Sequence, residues 1–259
     1  MAWHPRKRFG QHFLSDPNIV SRIISAISPQ PADTIVEIGL GKGALTYPLH
    51  DRVSLIHGVE IDRDLASDLE LKTPQYPKLR VHCADALKVD FAELLGKQSA
   101  RFVGNLPYNI STALIFHLVS FQDHIIDMHL MLQREVVQRL TASANDKQYG
   151  RLGVIARCCF EIDALFDVSS QAFVPSPKVV STLVRFKPQP RLSQSALKEL
   201  DKIVRLAFAS RRKTMANALS KLFAKEDLEC MGIDPNCRAD SLDIDQFINM
   251  LEYLRKQGR

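Results

Sequence analysis

The sequence has no CxxC pair and no membrane-length apolar run. Its five cysteines, Cys83, Cys158, Cys159, Cys230 and Cys237, form an odd set without zinc-ligand spacing. Neither a disulfide framework nor a thiolate metal site is therefore indicated, and reduced thiols in a cytoplasm are the expectation. No metal is expected in the chemistry. The basic residues near Met1 are not followed by an apolar segment, so they do not read as a secretory signal, and no membrane partner is expected. Internal repeats and low-complexity tracts are also missing, which excludes solenoid and fibrous architectures.

What is present is a chain of 259 residues, 46% hydrophobic, near the length at which single cores divide. One main domain with a smaller appendage is expected, and no obligate protein partner is evident. The net charge of +5 favours an anionic partner such as nucleic acid, provided the cations cluster. They cluster twice. Arg6, Lys7 and Arg8, beside Phe9, read as a solvated tail or as an arm contacting phosphates. Arg211, Arg212 and Lys213 stand at a turn between two expected helices, with Lys202 and Arg205 upstream. That cluster reads as a solvated helix end or as a surface for a nucleic-acid backbone.

A β-branched run at residues 34–38 ends in Gly39-Leu40-Gly41-Lys42-Gly43, and residues 44–49 look helical. Strand, glycine turn and helix open a nucleotide site, but the third glycine of the dinucleotide fingerprint is absent. A ligand without a pyrophosphate is thus at least as good a fit as NAD. The next strand, residues 54–59, runs into Glu60 and Ile61. A carboxylate there can accept from both hydroxyls of a ribose; otherwise Glu60 simply opens the following helix. A third strand, residues 79–83, runs into Ala84-Asp85-Ala86. Asp85 either caps a turn or accepts from an adenine amino group while the next backbone N–H, that of Ala86, meets the ring. Gly39 and Gly41, Glu60 and Asp85 at three successive strand ends together describe an adenosine pocket.

Asn105-Leu106-Pro107-Tyr108 follows a short apolar strand and precedes a helix, the position where open α/β sheets keep their ligands. An exocyclic base amine is a poor nucleophile because its lone pair is delocalised into the ring. The Asn105 amide oxygen, with a backbone carbonyl held outward by the fixed φ of Pro107, would accept both N–H hydrogens and favour a pyramidal nitrogen. Tyr108 would stack on the ring. The same four residues also suit an ordinary turn with a core tyrosine. In Phe173-Val174-Pro175-Ser176-Pro177 two prolines hold the segment extended, presenting Phe173 at a fixed position or burying it as a loop anchor.

Asp16 and Pro17 mark a helix start, followed by an apolar face of Ile19, Val20, Ile23, Ile24 and Ile27. Beyond the proline-punctuated Lys187-Pro188-Gln189-Pro190 the pattern is helical only. Leu197, Leu200, Ile203, Val204 and Ala207 share one face there.

These motifs, in this order, resemble the ribosomal RNA adenine N6,N6-dimethyltransferases, and within them the bacterial small-subunit group that modifies two adjacent adenosines of 16S rRNA. The resemblance covers nearly the whole chain. It rests on Phe9-Gly10-Gln11-His12-Phe13-Leu14, Glu37-Ile38-Gly39-Leu40-Gly41, Glu60-Ile61-Asp62, Asp85-Ala86, Asn105 to Ser111, Gln133-Arg134-Glu135-Val136, Tyr149-Gly150-Arg151-Leu152, Phe173 to Val179, and Arg211-Arg212-Lys213-Thr214. It implies a Rossmann-like α/β methyltransferase domain over residues 1–187, a small helical RNA-binding domain over 188–259, and S-adenosylmethionine as donor. It also implies that His12 and Leu14 lie at the methionine end, Gly39 on the donor's backbone, Glu60 on its ribose, Asp85 on its adenine, and Asn105 between donor and target. His12 and Leu40 depart from the Asn and Pro common at those positions in the family. A DNA or large-subunit RNA methyltransferase, or an assembly factor keeping the fold for binding only, are the rival readings.

Overall fold

The computed structural model describes residues 11–258. Arg6, Lys7 and Arg8, with Phe9 and Gly10, lie outside the described residues. The main sheet is built by alternation of strand and helix: β2 (Thr34–Ile38), β3 (Leu55–Glu60), β4 (Leu79–Cys83), β5 (Ala100–Asn105), β6 (Ile125–Gln133), β7 (Phe160–Val168) and β9 (Ser181–Pro188). Their order is β4-β3-β2-β5-β6-β9-β7. Strands β4 through β6 run parallel and β9 pairs antiparallel to β6. Strands separated by helices must cross over in one direction, which is why the first five are parallel.

The chain winds outward from β2 to β4, then returns to place β5 on the other side of β2. The carboxyl ends of β2 and β5 therefore flank the point where strand order reverses, the crevice at which doubly wound sheets bind ligands. Close approach of the two strands depends on Gly104: a Cβ there would lie 2.6 Å from the Ile38 carbonyl oxygen. A two-stranded sheet of β1 (Phe13–Leu14) and β8 (Phe173–Val174) lies apart from the main sheet, pairing Phe13 with Val174 and Leu14 with Phe173.

Helix α1 (Pro17–Ile27) starts at Asp16, whose carboxylate accepts from the Asn18 and Ile19 amides, with Pro17 in the first turn as expected. It buries Ile23, Ile24 and Ile27. At the far end of β5, Arg101 is tied to Asp127 at 2.9 and 2.7 Å, to Asp33 at 2.9 Å, and to the Ile27 and Ser28 carbonyls that end this helix. Helices α2 (Thr46–His50), α3 (Arg63–Glu70), α4 (Phe91–Leu95) and α5 (Ser111–Val119) connect the strands.

Packing divides the chain into two units. One holds the described residues up to Val137 together with Glu161–Pro188, and thus the main sheet apart from the first residue of β7. The other holds Gln138–Phe160 and the residues from Gln189 onward. Residues 138–160, which fall within the span 1–187 expected for the methyltransferase domain, thus pack with the C-terminal helices. The physical cause is α7 (Arg151–Arg157), which rests on α8 (Gln194–Ala207). Arg151 forks onto Asp201 at 2.7 and 2.8 Å. Gly153 lets the preceding chain pass close, since a Cβ there would meet the Arg139 carbonyl at 2.6 Å. The expected apolar face of α8, Leu197 through Ala207, is buried. Shorter helices α9 (Met215–Ala218) and α10 (Lys225–Cys230) precede α11 (Ile244–Lys256). The helix closing the first unit, α6 (Arg134–Thr141), runs across the division.

Candidate active site

At the crevice the glycine turn after β2, the ends of β3, β4 and β5, and the strand β1 enclose a cavity of about 320 Å³, within the range of small-molecule sites. His12, Leu14, Gly39, Gly41, Glu60, Ile61, Asp85 and Ala86 all line it, as do Asn105, Leu106, Pro107 and Tyr108. They arrive from five separate segments, at β1 and at the ends of β2, β3, β4 and β5, so the wall is assembled by topology.

Gly39 and Gly41 have φ of +78° and +55°, a region that side chains disfavour. Their turn brings the Gly41 N–H to Glu60 Oε2 at 3.0 Å, while the Asp62 N–H donates to Glu60 Oε1 at 2.9 Å. Glu60 is 5% exposed. Burial raises its carboxyl above the usual range, and the two backbone donors oppose that rise. Each oxygen keeps a lone pair for a ligand hydroxyl. Asp85 accepts from the Leu87 N–H through Oδ1 at 3.0 Å, so it caps the turn while also lining the cavity.

Asn105 is the last residue of β5. Its Nδ2 donates to the His12 carbonyl oxygen at 2.8 Å. A carbonyl only accepts, so this bond fixes which way the amide is turned and leaves Oδ1 without a partner among the described residues. The Pro107 carbonyl is closed off by the Ile110 N–H at 3.2 Å and the Ser111 hydroxyl at 3.1 Å. Among the described residues the Leu106 carbonyl, immediately before the proline ring, accepts no hydrogen bond.

Tyr108 Oη is bonded to Ser181 Oγ at 2.9 Å, and its ring stacks on His12 with centroids 5.5 Å apart. His12 Nδ1 lies 2.7 Å from the Pro175 carbonyl, so Nδ1 carries the hydrogen and Nε2 is the ring's remaining polar atom. Histidine at this position thus links the N-terminal motif to both the Asn105 loop and the Pro175 segment. Leu40, the other departure from the family pattern, is buried over Gly58, where a Cβ would collide with its side chain.

Phe173 is a correction. It is 2% exposed and belongs to the core cluster with Leu14, Ile24 and Leu183, so it does not line the cavity. The alternation of β8 explains this: pairing with Leu14 turns Phe173 inward and leaves Val174, 58% exposed, on the outer face. Glu37 opens the motif Glu37-Ile38-Gly39-Leu40-Gly41, but the sequence reading gave it no role. It lines the cavity, is 1% exposed, and its Oε2 has no hydrogen-bond partner among the described residues. In sequence it looked like one more member of a buried strand.

In the C-terminal unit, Arg211, Arg212 and Lys213 are all exposed in the turn between α8 and α9, and Lys202 and Arg205 are exposed on α8.

A mostly parallel sheet with a glycine turn and carboxylates at its switch point is the Rossmann-like methyltransferase architecture, with a cavity whose carboxylates and open carbonyls suit a nucleoside. The chain belongs to the ribosomal RNA adenine dimethylase family, whose profile matches residues 3–256. It is similar to the ribosomal RNA small subunit methyltransferase A of Marinobacter nauticus, 46% identical over 256 residues, covering 98% of this chain and 93% of the relative. The protein of the same name from Chromobacterium violaceum is 44% identical, with 98% and 97% covered. Among solved structures, a dimethyladenosine transferase from Plasmodium falciparum superposes with a TM-score of 0.82 at 26% identity, covering 95% of this chain and 98% of that one. The 23S rRNA methyltransferase ErmE gives 0.70 at 26% identity, with 94% and 99% covered. The protein is thus an rRNA adenine methyltransferase with S-adenosylmethionine as its methyl donor. Among the described residues no helix is long and apolar enough to cross a membrane.

Proposed function

We propose that the protein transfers methyl groups from S-adenosylmethionine to the N6 amino groups of two adjacent adenosines in 16S rRNA, giving N6,N6-dimethyladenosines as the small subunit matures. The observation that carries this reading is the Asn105 corner: an amide whose nitrogen is tied to His12, with Oδ1 and the adjoining Leu106 carbonyl both without a partner among the described residues. These two acceptors suit the two hydrogens of an exocyclic amine. Accepting both draws the nitrogen lone pair out of conjugation and toward the donor methyl. The relatives' small-subunit names support 16S rRNA as the substrate.

S-adenosylmethionine supplies an activated methyl on a sulfonium, ready for in-line displacement. The protein's part is position and hydrogen bonding. Glu60 is suited to the ribose hydroxyls, Asp85 and the Ala86 N–H to the adenine, and His12, Leu14 and the glycine turn with Gly39 and Gly41 to the methionine end. Ile61, 43% exposed at the cavity wall, offers an apolar face to the donor's ring. The target adenine must leave its stack to reach Asn105, and Tyr108 is the aromatic available to receive it, such a stack being worth about 1–3 kcal/mol. The proton lost from the amine passes to water. Arg211, Arg212 and Lys213 are suited to the RNA backbone as sequence-independent contacts.

The test is incubation of the protein with labelled donor and unmethylated small subunits, large subunits or DNA, followed by mapping of modified nucleosides. Label confined to two neighbouring adenosines of 16S rRNA is the expected result. Label on large subunits or DNA alone would sink the assignment of substrate.

A further inference from the structure

Two carboxyls of the donor cavity are buried side by side but are served differently. Glu60 receives the Gly41 and Asp62 N–H groups, one on each oxygen. Glu37, from the neighbouring strand β2, has an Oε2 that makes no hydrogen bond of normal geometry among the described residues; the wholly buried Thr46 hydroxyl of α2 acts on it only weakly and makes no bond of normal geometry itself. Among the described residues no cation forms an ion pair with Glu37. The titratable and polar groups that act on it are Glu60 from β3 and Thr46 from α2; elsewhere on the cavity wall stand His12, Asp85, Tyr108 and the exposed Lys42.

We propose that Glu37 is a proton-linked element of the donor site, neutral in the free protein and releasing its proton to solvent when the cationic methyl donor is seated. This rests on the reading that the cavity takes S-adenosylmethionine. An ionised carboxylate out of water and without donors is strongly disfavoured, and a second carboxylate nearby adds repulsion. Burial first, then the charge of Glu60, push the Glu37 carboxyl up to about 8, with Thr46 pulling the other way. The pair therefore splits its roles: Glu60, held by two N–H groups, keeps the negative charge and Glu37 keeps the proton. Seating a ligand that carries a sulfonium and an ammonium reverses the balance, because an opposite charge nearby favours the carboxylate. The O–H bond of Glu37 breaks, the proton goes to bulk buffer, and no other bond changes.

The sign follows from the linkage. Since binding releases a proton, donor affinity rises with pH up to the free-state value near 8, and the rise ends there, where the donor's own ammonium also begins to lose its proton. Calorimetric titration of the full chain with S-adenosylmethionine, in buffers of different ionisation enthalpy, reads the protons released. At pH 7 the expected release approaches one per site, and Kd falls by up to about tenfold per pH unit below the bend. Glu37→Gln, which mimics the neutral acid, is expected to bind with no release at pH 7 and without the rise in affinity toward pH 8. Thr46→Val, lacking the hydroxyl that favours the charged form, is expected to move the bend to higher pH. If Glu37→Gln does not fold, infrared difference spectra of the unmodified protein decide: loss of a protonated-carboxyl band on donor binding supports the proposal, and an unchanged band overturns it. Binding without proton release, or release retained in Glu37→Gln, overturns this inference alone. Absence of any binding at the cavity would instead overturn the donor reading beneath it.

Discussion

The Asn105 side-chain amide donates to the His12 backbone carbonyl at 2.8 Å, joining the end of a central strand to a segment 93 residues earlier. This single bond orients the amide. It requires the segment leading into β1 to be in place at the cavity, so the Asn105 loop and the N-terminal motif are parts of one device.

Replacing Asn105 with Ala is expected to lower single-turnover methyl transfer by about a hundredfold or more, the usual cost of losing a preorganised polar group. Donor binding, read by calorimetry, should stay within a few fold. A transfer rate close to that of the unmodified protein would remove Asn105 from the mechanism.

Glu60→Gln should weaken donor binding. One oxygen becomes an NH₂ that faces a backbone N–H, either that of Gly41 or that of Asp62. Loss of charge-assisted bonds of this kind costs about 1.5–3 kcal/mol, or roughly ten- to a hundredfold in Kd. An unchanged Kd would mean that the ribose is held elsewhere.

Replacing Arg211, Arg212 and Lys213 together with Ala should weaken RNA binding and reduce the slope of log K against log salt by about one for each phosphate that is no longer neutralised. Filter binding at several salt concentrations checks this. An unchanged slope would move the RNA surface off this turn.

Asp127 carries an acid-stability prediction. Burial by itself raises its carboxyl, but His129, 3.7 Å away, and the Arg101 guanidinium overcome this and hold it down at about 2. A folded-state value below the unfolded one, near 3.9, gives stability that is present above pH 4 and lost as pH falls toward 2. Asp127→Ala should cost about 3–5 kcal/mol at neutral pH, because it strips a partner from a buried cation. The variant should also lose less than the unmodified protein between pH 4 and 2. Denaturant unfolding at each pH measures both effects.

Gly104→Ala tests the closeness of β2 and β5. A Cβ 2.6 Å from the Ile38 carbonyl cannot be absorbed by a flexible side chain, so the strands must part. Destabilisation of about 1–3 kcal/mol is expected, with a lower melting temperature by calorimetry. A melting temperature equal to that of the unmodified protein would show that the sheet yields there without cost.

Much of the cavity was legible in the sequence because its wall comes from strand ends. Gly39 and Gly41 follow a β-branched run, Glu60 and Asp85 stand at the ends of the next two strands, and the parallel α/β pattern brings such ends to one edge. The helix start at Asp16 was equally legible, since a cap is a local bond. Phe173 was not. Its two prolines told of an extended backbone, but which face an extended residue presents depends on its partner strand, and that partner lies far away in the sequence.

The order of glycines, carboxylates and the Asn105 tetrapeptide is therefore written in the chain itself, because these features act through neighbours only a few residues away. Pairing of Leu14 with Phe173, the turn of the Asn105 amide, the grouping of residues 138–160 with the C-terminal helices and the unpartnered state of Glu37 were decided only on folding. Each of these rests on an approach between distant segments. Its outcome is set by which donors and side chains the folded chain brings within reach, and local pattern carries no record of that.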